Sequence, residues 1–180
     1  MIVSSNLFHT AATAGEAELL SIIENLTDAY FRTRLDGRIL LASRSVEALS
    51  GYRLEEVIGR NITDFYLDPA EREQFLQTLA DDGGHVQGYE TGLRRKDGTE
   101  LWVSTSASFF HDEQGEVAGV EGTVRDITER RRVELALRES EQRYRALFDH
   151  ATDSIFLLRD GRFIDCNPMT LEIFGCTREQ

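Results

Sequence analysis

The sequence predicts an α+β fold in which short helices accompany an antiparallel sheet, and three observations carry that prediction. Apolar and polar residues alternate over several short runs, the signature of half-buried strands. The turns between these runs are only a few residues long, too short for parallel crossovers. A supersecondary unit also occurs twice. Residues 27–56 read TDAYFRTRLDGRILLASRSVEALSGYRLEE and residues 152–180 read TDSIFLLRDGRFIDCNPMTLEIFGCTREQ. Asp36-Gly37-Arg38 aligns with Asp160-Gly161-Arg162, Phe31 with Phe156 and Gly51 with Gly175, with Leu35 extra in the first copy. A repeat of this length sets the domain count before any single motif is interpreted.

Taken in order, residues 1–15 are small and polar and are expected to be frayed. Leu19, Leu20, Ile23 and Leu26 then recur at helical spacing, predicting a short amphipathic helix over residues 16–26. Alternation over 29–35, the turn Asp36-Gly37 and a second run over 38–42 predict a hairpin. Residues 43–49 and 54–58 read as short helices stopped by Gly51 and Gly59. Asp68-Pro69 opens a longer helix over 70–79, with Phe75, Leu76 and Leu79 on one side. Strands follow over 86–95, 101–111 and 117–125, joined by the turns 96–99 and 112–115 and forming an antiparallel meander. Leu101, Val103, Thr105, Ala107 and Phe109 share the face with more aliphatic surface and are assigned to the core. Trp102, Ser104, Ser106 and Ser108 face the other way.

Residues 123–160 contain neither Gly nor Pro, and Glu134/Arg138, Glu139/Arg143 and Glu141/Arg145 each place the acid four residues before the base. A helix is predicted over 128–148, with Val133, Leu137, Ser140, Tyr144 and Leu147 at heptad-like spacing. The second copy, from 149, is expected to form only a hairpin over 152–166, with the repeat left unfinished.

Composition excludes several classes. The chain of 180 residues is 41% hydrophobic and carries a net charge of −12. Such a surface repels phosphate, and the one dense basic run, Arg130-Arg131-Arg132, is flanked by Glu129 and Glu134, so no nucleic-acid partner is expected. No signal peptide and no apolar window of ~20 residues is present, which points to a cytoplasmic protein without a membrane segment. Cys166 and Cys176 form no CxxC and are expected to be reduced thiols. No metal spacing, phosphate-cradling glycine loop or nucleophile with a neighbouring base is found, so no catalytic or metal site is assigned. Gly119-Val120-Glu121-Gly122 lies within a strand pattern, where glycine marks close packing more often than a nucleotide site.

The segments LSGYRLEEVIGR (49–60), RRKDGTELWV (94–103) and DEQGEVAGVEGTVRDITERR (112–131), in this element order, resemble a PAS domain. The last segment resembles the PAC end of that family, closing on Asp126-Ile127-Thr128. The resemblance spans 16–128 and part of a second domain, with 129–148 as the linking, signalling helix. It implies a five-stranded antiparallel sheet with helices on one face around a pocket. It also implies sensing and relay within a longer protein whose output is a histidine kinase or a cyclic-di-GMP enzyme, the signal passing through the helix after Asp126.

Photosensory members of the family carry a reactive Cys after Gly-Arg-Asn. Here Gly59-Arg60-Asn61 is followed by Ile62, and the first domain has no Cys. Haem-binding members hold iron on a His of the long helix, and 70–79 contains none. No haem and no covalent flavin is therefore expected, while a small ligand stays open. Its candidate pocket comprises Phe31, Tyr89, Val103, Thr105, Ala107 and Val120, against the alternative that this face is fully packed. A homodimer is expected through Leu19, Leu20, Ile23 and the Trp102 face. Asp126, with Glu129 three residues on, is expected to cap the outgoing helix as in a capping box, alongside Ile127 and Thr128. The competing reading is a ligand-free dimerisation and spacer module.

Overall fold

Five strands form one antiparallel sheet in the order β2-β1-β5-β4-β3: β1 (Ala29–Arg34), β2 (Ile39–Ala42), β3 (His85–Arg94), β4 (Glu100–His111) and β5 (Val117–Asp126). The coordinates are a computed structural model that describes residues 27–175 and Thr177. The predicted helix over 16–26, with Leu19, Leu20 and Ile23, lies outside the described residues, as does Cys176. Between β2 and β3 run α1 (Ser45–Ser50), α2 (Leu54–Val57), a 3-10 turn (Ile62–Phe65) and α3 (Glu71–Asp81). The chain divides into two compact units between Thr128 and Glu129.

The alternation in β4 decides which face is covered. Leu101, Val103, Thr105 and Ala107 are buried, whereas Trp102, Ser104 and Ser108 are half-buried and Ser106 is exposed. Phe31 of β1 pairs with Gly122 of β5, and Ala107 of β4 pairs with that same Gly122 from the other side. A Cβ at Gly122 would overlap the Ser106 carbonyl oxygen and lie 2.7 Å from the Ala107 Cα. The glycine is thus a packing requirement of the central strand.

Two apolar clusters cover the buried face. Phe75 and Leu79 of α3 pack with Val86, Ala107 and Val120, joined at the margin by Phe31, Leu76, Tyr89 and Phe109. Ile39, Val57 and Phe65 form the second cluster, with Val46, Tyr52 and Ile62 beside it.

The second unit holds most of α4 (Thr128–Asp149), a separate hairpin of β6 (Phe156–Arg159) and β7 (Arg162–Cys166), and α5 (Pro168–Phe174). Helix α4 forms as its composition predicts. Its ion pairs, however, include Arg132–Glu129 at 3.0 Å and Arg130–Glu134 at 3.6 Å, and none of the three predicted pairs closes among the described residues. Val133, Leu137, Tyr144 and Leu147 of its seam are exposed.

The expectation of a lone hairpin is corrected by α5, because the repeat continues into its first helix. The two copies match down to individual hydrogen bonds. In the first, Tyr30 N donates to Ser43 Oγ at 2.8 Å and Ser43 N to the Tyr30 carbonyl at 2.9 Å. In the second, Ile155 N donates to Asn167 Oδ1 and Asn167 N to the Ile155 carbonyl, both at 2.9 Å. Asn167 is fully buried, and its Oδ1 also accepts from Thr170 N at 3.0 Å, capping α5. Both α1 and α5 end on a left-handed glycine, Gly51 and Gly175.

Candidate functional site

A cavity of about 70 Å³ lies under the sheet, lined by members of both apolar clusters. Ile39, Val57 and Phe65 come from one and Phe75 and Phe31 from the other, with Leu101 and Val103 of β4 forming the floor. Four lining residues carry polar side-chain groups of particular interest: Tyr66, Arg72, Thr91 and Thr105.

The local sequence explains how they get there. Asn61 Oδ1 accepts from Thr63 N at 3.0 Å and starts the 3-10 turn, which folds Phe65 inward against Tyr52. The chain then runs along β3, where Tyr66 bridges to Leu93 and Leu67 N donates to the Gly92 carbonyl at 2.9 Å. Gly92 lacks the Cβ that Leu67 would meet at 2.5 Å, so the segment lies close against the strand. Asp68 Oδ1 accepts from Ala70 N at 2.9 Å and sets the direction of α3, whose first turn carries Arg72.

Arg72 is 6% exposed. Its Nη2 donates to Thr33 Oγ1 at 3.2 Å, while its Nε has no partner. Burial lowers the guanidinium pKa from its ordinary value, and the nearby Tyr66 phenol opposes the shift. Burial raises the Tyr66 pKa in turn, against the pull of Arg72. Thr91 Oγ1 is likewise buried without a partner.

Of the predicted pocket residues, Phe31, Val103 and Thr105 line this cavity. Tyr89, Ala107 and Val120 do not, and that part of the expectation is corrected. Phe75, Leu79 and Val86 fill the space over that end of the sheet, and Tyr89 packs edge-on against Phe75 at 5.1 Å. Arg72, Tyr66 and Thr91 were not legible as site residues. The stretch Glu71-Arg72-Glu73-Gln74 reads as a polar first turn, although Arg72 falls three and seven residues before Phe75 and Leu79, on the face that α3 buries.

The exit from the sheet is the second site. Asp126 Oδ1 accepts from Thr128 N at 2.8 Å, and Asp126 Oδ2 accepts from Arg95 Nη2 at 2.7 Å. Arg95 Nη1 also donates to the Leu49 carbonyl at 2.5 Å, and Leu49 belongs to α1 and lines the cavity. Ile127, 5% exposed, donates its N–H to the Trp102 carbonyl at 2.9 Å, and Thr128 Oγ1 accepts from Trp102 N at 3.0 Å. Burial favours the neutral form of Asp126, but the bonds from Thr128 and Arg95 outweigh it and hold the carboxyl below the usual carboxylate range. The expected capping box is incomplete, because the Glu129 carboxylate turns forward to Arg132 and away from the Asp126 backbone.

Among the described residues no cluster of His, Cys, Asp and Glu could hold a metal ion, and no helix is long and apolar enough to cross a membrane.

Comparison with known proteins agrees with this architecture. The family described as the PAS fold matches residues 17–127, and a PAS domain model matches residues 142–180. A blue-light-activated histidine kinase of Rhizobium johnstonii is 32% identical over 163 residues, covering 84% of this chain and 45% of that protein. Sporulation kinase E of Bacillus subtilis is 25% identical over 168 residues, covering 92% of this chain and 22% of that one. The chain thus spans less than half the length of these relatives. The crystal structure of a PAS domain from Haloarcula marismortui superposes with a TM-score of 0.54 at 28% identity, covering 63% of this chain and 92% of that one. With its five-stranded sheet, covering helices and PAC-like exit, the chain belongs to the PAS family, carrying one PAS fold and part of a second PAS domain related to the sensor regions of histidine kinases.

Proposed function

We propose that this chain is the signal-sensing and relay module of a larger signal-transduction protein, with the cavity as receiver and the Asp126–Thr128 exit as transmitter. The observation that carries the reading is Arg95. One side chain holds both the carbonyl end of α1, a wall of the cavity, and the carboxylate at the root of the outgoing helix. A ligand that displaces α1 therefore acts on Asp126 through a single rigid guanidinium.

The output is a histidine kinase, as in the relatives, or a cyclic-di-GMP enzyme, and lies elsewhere in the same cytoplasmic polypeptide. The module works without haem or covalent flavin: Ile62, which follows Gly59-Arg60-Asn61, contributes an aliphatic side chain to the cavity wall. It acts as a homodimer, a reading supported by the exposed apolar seam of α4. In the intact protein, Arg95→Ala should leave basal output in place and remove its response to stimulus. A normal response in that variant would refute the relay.

A further inference from the structure

Arg72 is the one charged side chain among the buried described residues. It lines an otherwise mostly apolar cavity and forms no ion pair with any described carboxylate. Its guanidinium donates to the neutral Thr33 hydroxyl and lies within hydrogen-bonding reach of the neutral Tyr66 phenol, while Nε–H is left bare. A buried cation without a counter-charge is among the most expensive arrangements in a protein interior, and its natural complement is an anion. Thr91 Oγ1 is a second buried, unpartnered polar atom in the same wall.

Glu71 Oε2 is buried and unpartnered as well, but Glu71 is absent from the cavity wall. No ion pair joins it to Arg72. It does not supply the missing partner.

From these groups we infer that the cavity binds a short-chain monocarboxylate, its carboxylate on Arg72 and Thr91 and its aliphatic body against Leu101 and Val103. A guanidinium offers parallel N–H donors that match a carboxylate, and the threonine hydroxyl supplies one more. Size limits the body. The cavity of about 70 Å³ is roughly half the ~150 Å³ of an apolar cavity that admits benzene, which suits an acid of about three or four carbons. A dicarboxylate fits poorly, since the other cation on the wall, Arg94, is exposed to solvent and no second buried cation exists among the described residues to meet its other charge.

This inference deepens the sensory reading and rests on it, but the two can fail separately. The test is a titration of the ¹⁵N-labelled 180-residue chain with propionate, propionamide and succinate, read at the Arg72 Nε, Thr91 and Thr128 signals. Propionate should bind saturably and at least about tenfold more tightly than the amide or the diacid. Arg72→Gln should abolish the preference for acid over amide. Should that variant fail to fold, Thr105→Leu keeps Arg72 while filling the cavity and should abolish propionate binding. No saturation by propionate at tens of millimolar, equal binding of the amide, or unchanged binding in Thr105→Leu would each overturn the inference and leave the cavity to water. Binding at Arg72 with no response at Thr128 would uphold the ligand and refute the relay. A response at Thr128 to propionamide alone would do the reverse.

Discussion

Replacing Arg95 and Asp126 singly and together measures how firmly the cavity wall is tied to the exit. Arg95→Ala removes the 2.5 Å bond to the Leu49 carbonyl and the 2.7 Å ion pair with Asp126. The first is worth about 0.5 to 1.5 kcal/mol net. The pair has side chains 25% and 40% exposed, so solvent screening limits it to about 0.2 to 1 kcal/mol. The loss should total about 0.7 to 2.5 kcal/mol. Asp126→Asn keeps an oxygen for Thr128 N and removes only the charge, so it should cost no more than the pair itself. The double variant should then fall short of additivity by about 0.2 to 1 kcal/mol. Trp102 is the sole tryptophan and lies in the first unit, so urea unfolding followed by its fluorescence reports this domain alone. In a domain of ~100 residues each kcal/mol also moves the melting temperature by about 4 to 8 °C. Strict additivity, or an Arg95→Ala variant as stable as wild type, would refute the clamp.

Three further outcomes follow from particular contacts. Asp126 has a folded pKa below its unfolded value of about 3.9, so its contribution to stability is complete above that pH and is lost as pH falls through the folded pKa. Asp126→Asn should therefore flatten that acid limb of the stability curve, and an unaltered limb would show the carboxylate to be unpaired. Gly122→Val would drive a branched side chain into the Ser106 carbonyl and the Ala107 Cα, costing at least the upper end of about 1 to 3 kcal/mol; a variant that melts like wild type would contradict the register of β5. Asn167→Ala removes bonds to Ile155, Thr170 and Asp153 from a fully buried side chain, so the Ile155 and Thr170 amides should exchange faster, and unchanged protection would mean that Asn167 does not organise the second copy.

The sheet was legible because its signals are local. Alternation from Leu101 to Phe109 gave the buried face of β4 directly, and Asp36-Gly37 announced the first hairpin. Gly122 was readable as a packing glycine because it interrupts a strand between Val120 and Val124 on its own face. What sequence could not give was the depth of a polar residue. Arg72 sits among charged neighbours in the first turn of α3; the one local sign of its burial is its register, three and seven residues before Phe75 and Leu79 on the same helix face, and periodicity alone does not say that a charge there stays inside. Tyr66 and the 3-10 turn before it have no periodicity, since their place is set by Asn61 and by pairing with β3. The α5 helix was available in principle. Residues 169–175 repeat 45–51 with Gly175 for Gly51, and the unfinished appearance of the copy hid a helix that the aligned segment already contained.

Amide hydrogen exchange at Ile127 and Thr128, compared between wild type, Thr105→Leu, Arg95→Ala and the chain carrying both Thr105→Leu and Arg95→Ala, tests the coupling of cavity to exit most directly. Filling the cavity with Thr105→Leu should change protection of these two amides by several-fold while leaving the β6–β7 hairpin unchanged. In the Arg95→Ala background the same filling should leave them unaffected. Equal changes with and without Arg95, or no change on filling the cavity, would contradict relay through this side chain.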